Sequence, residues 1–192
     1  MRIGKIVSSR SHLDYVCQIY HPGEIPDVPS PASYAFGRFV RLSGDAVGIV
    51  YDSQLQNPDF GNFGPRLSNS PQEIRVFTPD LIDEQATLVS LLLLGRLSGA
   101  HGIHEVPGEV IPVHSEVETL PDEAFVAFHR DEAGRIQLRY LPLVQAHGGP
   151  ASLSLLLAVL DRLNSLCPED RARLGVLRNA LNWQRTIQAV KA

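Results

Sequence analysis

The sequence has few of the features that are typical of secreted proteins or of membrane proteins. Its 192 residues include only two cysteines, Cys17 and Cys167, which are too few for a disulfide framework and form no CxxC pair. The longest apolar run, from residue 88 to residue 94, is interrupted by Ser90 and falls well short of the ~20 residues that span a bilayer. The first residues show no apolar core of a signal peptide. We therefore expect a cytoplasmic protein with no membrane segment.

An excess of basic residues is also missing. The chain has 17 lysines and arginines against 21 aspartates and glutamates, which gives a formal net charge of −4. Proteins that bind duplex nucleic acid through phosphate contacts normally carry a basic excess. The charge balance therefore disfavours duplex binding by this chain.

Sequence motifs of common catalytic sites are absent too. No GxxxxGK[ST] phosphate loop and no GxSxG nucleophile elbow occur. His101 and His104, close to Glu105 and Glu109, form an HxxH pair rather than the HExxH of helical zinc sites, and they lie among glycines and a proline. We interpret them as loop histidines facing solvent, with a metal site or a hydrolase as the weaker alternatives. We expect no cofactor, no metal and no enzymatic activity.

The first 77 residues favour β-structure. Arg2–Ser8 and Leu13–Tyr20 are apolar, strand-like runs, and a hairpin is predicted over residues 34–52 around Ser43-Gly44-Asp45, where glycine tolerates the reversal. Residues 73–77 could supply a closing strand. This pattern predicts a small closed β-barrel over residues 1–77.

A mixed region is predicted over residues 78–192, so that the whole chain belongs to the α+β class. Thr78-Pro79-Asp80 is typical of a helix start, and a buried helix is predicted over residues 79–96. The interval 105–144 contains three strand candidates. They are Glu105–Val113, Phe125–His129 and Arg135–Val144.

A helical hairpin is predicted at the end of the chain, over residues 150–191. Leucines at i, i+3, i+4, i+7 and i+10 from Leu153 indicate an amphipathic helix, which Pro168 ends. In the second helix we expect one inward face. It consists of Leu174, Leu177 and Leu181, with Ile187 as a further candidate.

Three short motifs in the predicted barrel region resemble those of a known barrel family. They are Gly4-Lys5-Ile6-Val7-Ser8-Ser9, Phe36-Gly37-Arg38-Phe39-Val40-Arg41-Leu42 and Val47-Gly48-Ile49-Val50-Tyr51. In this order they resemble the HAS-barrel, the small barrel at the N-terminus of HerA-type DNA-translocating ATPases and of the ATP synthase α and β subunits. The resemblance implies a six-stranded barrel that serves ring assembly and partner docking. No RecA-like ATPase core follows here, so ATP hydrolysis is not carried over.

The loop over residues 56–71 is the main candidate for a binding surface. Phe60 and Phe63 each gain roughly 1.5–3 kcal/mol from burial, and they either fold back onto the barrel or contact a partner. Arg66 is the polar anchor in the second case. Tyr34 and Arg38 are further interface candidates.

From these features we predict a non-enzymatic assembly or adapter protein that docks to itself or to a HerA-type ATPase. The alternative is a single-stranded nucleic-acid binder, because small barrels with aromatic loops can stack bases. Its candidate residues are Tyr34, Phe36, Phe60, Phe63, Arg38, Arg41 and Arg66.

Overall fold

A computed structural model describes residues 1–56 and 86–191, with the backbone alone for residues 188–191. In this part of the chain a strand-rich half precedes a helical half. The strands are β1 (Arg2–Ser9), β2 (Asp14–Ile19), β3 (Phe39–Arg41), β4 (Ala46–Gln56), β5 (Ala86–Ser98), β6 (His101–Ile103) and β7 (Glu116–Thr119). The helices are α1 (Asp122–Phe128), α2 (Leu141–His147), α3 (Ser152–Leu166) and α4 (Arg171–Lys191).

Six of the strands close into an antiparallel barrel. Their order is β2-β1-β7-β3-β4-β5, and β5 pairs back onto β2 to complete the ring, while β6 extends the sheet beyond β5. The strand-to-strand closure confirms the predicted barrel and the α+β class.

The two predicted N-terminal strands are confirmed, and so is the predicted hairpin from Phe39 onward, whereas Tyr34 ends a 3₁₀ turn. Strand β1 pairs with β2 with Ile6 opposite Cys17. In the hairpin, β3 pairs with β4 with Val40 opposite Gly48, and Gly44 in the turn has a φ of 66°, a conformation that glycine adopts without steric cost.

The predicted helix over residues 79–96 is wrong where the structure describes it. Residues 86–98 form β5, which pairs with β4 on one side and β2 on the other. Leu91 and Leu93 point into the barrel, whereas Leu92 and Leu94 lie under the helices, so both faces of the strand are buried. An apolar run buried all round is compatible with either a helix or a two-faced strand, which is why its pattern misled the prediction.

The barrel also extends past the predicted boundary at residue 77. Because β5 and β7 come from beyond it, the barrel takes strands from both sides of the boundary, which therefore does not separate barrel from helices. The closing strand predicted over residues 73–77 lies outside the described residues.

The three strands predicted within residues 105–144 are also wrong. Residues 104–115 form an irregular segment at the barrel end, where the backbone N–H of Ile111 donates to the Tyr15 hydroxyl at 3.2 Å. Residues 122–128 are helix α1, where Phe125 and Phe128 are buried at helical spacing. Residues 135–144 are irregular up to Tyr140 and then begin α2. Short apolar runs of this kind do not distinguish a strand from a helix by periodicity.

The helical hairpin is confirmed. Helices α3 and α4 are joined by a 3₁₀ turn over Pro168–Asp170, which Arg130 fixes through ion pairs to Glu169 at 2.5 Å and Asp170 at 2.6 Å. No helix among the described residues is both long and apolar enough to cross a membrane.

Two hydrophobic clusters divide the core. One fills the barrel interior with side chains such as Ile6, Cys17 and Val117. The other lies between the outer barrel wall and the helices, where Phe39 of β3 contacts Phe125 of α1 edge to face at 4.9 Å between ring centroids. Burial raises the pKa of the Cys17 thiol to about 12, as expected for a reduced core cysteine.

At Gly102 the sheet lies close against the end of α1. A Cβ at this position would lie 1.9 Å from the carbonyl oxygen of Phe128, and the Gly102 N–H donates to Arg130 O at 2.9 Å. No side chain fits there because the Phe128 backbone occupies the position that a Cβ would take.

We expect Gly102→Ala to lower the free energy of unfolding by about 3 kcal/mol, because β6 and the end of α1 must move apart. Gly108→Ala is the matched control, since nothing lies within 4 Å of a Cβ there, and its effect should stay within about 0.5 kcal/mol. Urea denaturation measures both. Equal effects of the two substitutions would contradict the close approach.

Candidate interaction surface

The candidates Phe60, Phe63 and Arg66 fall in the segment 57–85, outside the described residues. The structure therefore leaves their proposed role as a prediction. The other two candidates, Tyr34 and Arg38, are described.

Tyr34 and Arg38 are both engaged within the chain. Tyr34 ends a 3₁₀ turn and packs half-buried against the cluster inside the barrel. The Arg38 guanidinium donates to Ala32 O from Nε at 3.3 Å and from Nη2 at 3.0 Å. Between them, Phe36 is 47% exposed. These three residues lie in one loop, and the contacts of Tyr34 and Arg38 stabilise that loop. Single-stranded nucleic-acid binding stays a prediction.

His101 and His104 do not converge. His101 Nε2 lies 3.9 Å from Glu132 near the surface, whereas His104 is turned inward against the Phe128 ring at 4.4 Å. His104 Nδ1 accepts from the Arg139 N–H at 3.2 Å, so its Nε2 carries the proton and donates to Phe128 O at 2.8 Å. The expectation of solvent-facing loop histidines is therefore wrong for His104, which is turned inward, and His101 begins strand β6 and is half-buried. Among the described residues no group of three or more metal-ligating side chains comes together.

A second buried histidine was not singled out from the sequence. His129 follows α1, and its Nδ1 lies 2.7 Å from Phe125 O, to which only a protonated nitrogen can donate. Its Nε2 therefore accepts from the Tyr140 hydroxyl at 2.6 Å. Both histidines lie between the barrel wall and the helices, and each ring donates one hydrogen bond and accepts another.

Burial is the main reason that these two rings resist protonation. It lowers the pKa of His129 to about 3 and that of His104 to about 4, from the ordinary value of 6.5. As the pH falls below 6.5, the unfolded chain therefore takes up protons at these rings before the folded chain does. The free energy of unfolding must decrease over this window.

We expect stability to fall between pH 6.5 and pH 4 with a slope of up to about 1.4 kcal/mol per pH unit from each ring. His129→Gln and His104→Gln should each reduce that slope, and His147→Gln, at an exposed site, is the control. Thermal unfolding across the pH range measures it. An unchanged slope in both buried-site variants would contradict the assignment.

Helix α4 differs from the other helices in having two apolar faces. Leu174 and Leu181 are buried against the helical core, and Leu177 is partly buried beside them. A second face carries Val176, Ala180, Trp183 and Ile187, which we call the α4 stripe. Val176 is 69% exposed, Trp183 is 68% exposed and Ile187 is 38% exposed. At 100° per residue the centre of this stripe lies roughly 120° around the helix from that of the three leucines.

Helix α3 provides an internal comparison. Its outward face has the same i, i+4, i+7, i+11 spacing, and it consists of Ser154, Ala158, Asp161 and Ser165, all exposed. That face is mostly polar, as expected of a helix surface in water. The apolar outer face is therefore particular to α4 rather than general to the hairpin.

The charges of α4 lie mostly away from the stripe. The helix contains four arginines and one lysine and no acidic residue. Arg171, Arg178 and Arg185 recur every seventh position on the far side, and Arg178 forms an ion pair with Asp161 of α3 at 2.9 Å. The edges of the stripe are largely uncharged, with Asn179 and Thr186 on one side and Gln184, bonded to Gln145 of α2 at 3.0 Å, on the other.

Comparison with known protein families identifies a family for this chain. The family model "Domain of unknown function (DUF8166)" matches residues 1–191. The chain belongs to this family. No curated protein matches it. The DUF8166 match spans the barrel and the helices together, including α4.

The prediction from the sequence missed the α4 stripe. Ile187 was a candidate for the inward face, but it lies on the outward one. The available signal was the 4-3-4 spacing from Val176 to Ile187 with the chain's only tryptophan in the third position.

Proposed function

We propose that this DUF8166 protein is a non-enzymatic assembly or adapter protein that docks to other proteins through the α4 stripe. The observation that carries the proposal is the exposure of Trp183 and Val176 on a helix whose other apolar face is already packed. Contiguous exposed apolar surface is typical of interaction sites, and tryptophan is enriched among residues that dominate binding energy.

The barrel motifs suggest the class of partner. The three motifs that resemble the HAS-barrel fall in β1, around β3 and in β4, within a closed ring of six strands. In HAS-barrel families this barrel serves assembly, so a HerA-type ATPase or further copies of this chain are the proposed partners. A cytoplasmic location, expected from the low cysteine content, is part of the proposal.

The described core supports docking rather than chemistry as the role of this fold. The barrel interior is filled by apolar side chains, and the buried polar groups His129 and Tyr140 satisfy each other. Large apolar side chains are exposed elsewhere too, such as Phe36, Leu55 and Val110, but among the described residues those of α4 are the ones aligned on one face of a helix.

Size-exclusion chromatography with light scattering tests the proposal, with the chain alone and mixed with a purified HerA-type ATPase. We expect association in at least one of the two samples, and Trp183→Glu should weaken it at least tenfold because a carboxylate cannot be buried there without a partner. The substitution should change stability by less than about 0.5 kcal/mol, since the side chain is exposed. A strictly monomeric chain that does not co-elute with the ATPase would contradict the proposal.

A further inference from the structure

We infer that the α4 stripe binds the same stripe of a second copy, with the two α4 helices antiparallel. This inference rests on the proposed function and names its partner. The stripe has the 4-3-4 spacing of one seam of a two-helix coiled coil, and an isologous contact of this kind needs only one surface per chain.

The sizes of the side chains favour the antiparallel orientation. When two copies meet about a dyad between residues 181 and 182, Trp183 faces Ala180 of the second copy, and Val176 faces its Ile187. A large side chain then meets a small one at the centre of the seam. In a parallel pair aligned in register, the two tryptophans would oppose each other and the two alanines would leave a gap.

The charge distribution permits this contact without requiring an acidic partner. Asn179 and Thr186 are uncharged along one edge, Gln184 lies on the other, and Arg178 and Arg185 point away. Arg173 is the one described basic residue near the stripe. Because α4 has no acidic residue, the net electrostatic effect of pairing is a weak repulsion, which salt screens.

The area of the stripe sets the expected strength. The exposed parts of Val176, Trp183 and Ile187 amount to roughly 300 Å² per copy. Two copies therefore bury less than the ~1,200 Å² of a standard stable interface. We expect a reversible dimer with a dissociation constant on the order of micromolar or weaker.

Two measurements on the full chain over a dilution series test the inference. Analytical ultracentrifugation gives the mass of the species, and fluorescence gives the emission wavelength of Trp183. Since the chain has one tryptophan, its emission should shift to shorter wavelength as the dimer forms. Raising NaCl should tighten the dimer severalfold, because like charges are screened. Weakening by salt would overturn the inference, since it indicates an oppositely charged surface.

Ala180→Glu should weaken the dimer at least tenfold, because it places a carboxylate opposite Trp183 of the second copy. Ala158→Glu makes the same substitution on the outward face of α3 and should leave the dimer unchanged. Equal behaviour of the two variants would overturn the inference. A third result would also overturn the inference. If the Trp183 emission shifts to shorter wavelength only when anionic phosphatidylglycerol vesicles are added, the α4 stripe binds a membrane surface rather than a second copy.

Cysteine pairs test the orientation. A mixture of Val176→Cys and Ile187→Cys chains should give a mixed disulfide under mild oxidation, whereas a parallel pair would link identical chains, which overturns the antiparallel arrangement. The two native cysteines are buried and should not interfere.

The failure of this inference is distinguishable from that of the proposed function. A chain that stays monomeric at all concentrations but co-elutes with a HerA-type ATPase in a Trp183-dependent manner overturns the self-pairing alone. A monomer that shows neither behaviour removes both.

Discussion

Strand β5 is buried on both faces, and this double burial ties the two halves of the chain together. Leu91 and Leu93 fill the barrel, and Leu92 and Leu94 support the helices, while the backbone of the same strand closes the ring between β4 and β2. Phe39 on β3 extends the outer contact to α1. Barrel and helices therefore share one wall. His104 and His129 lie between them as neutral rings, because the helices exclude water from that wall.

The predictable part of the fold is the part specified by local patterns. The β1–β2 and β3–β4 hairpins follow from apolar runs separated by polar or glycine-containing turns, and the helical hairpin follows from leucines at helical spacing ended by Pro168. In each case the signal and the contacts that it specifies lie within a few tens of residues. Closure of the barrel was predicted, but β5 and β7, which the structure places in the ring, were not predicted as strands.

The wrong predictions share one physical cause. Residues 86–98 and 122–128 are apolar on more than one side, because each is covered by elements distant in sequence, and such burial removes the periodicity that separates strand from helix. Ile187 was misplaced for a related reason. An amphipathic pattern shows that a helix has an apolar face, but α4 has two, and the sequence does not say which one its own fold covers.

The shared wall limits how this architecture can change over evolution. Recombination that replaced the helical half would expose Phe39 and the outward-facing leucines of β5 to solvent. The replacement would therefore have to supply an apolar surface that packs on the same side of the sheet. Barrel and helices should consequently be inherited as one piece, as the family match over residues 1–191 suggests. The outer face of α4 is under no such internal constraint, so substitutions there leave the fold intact.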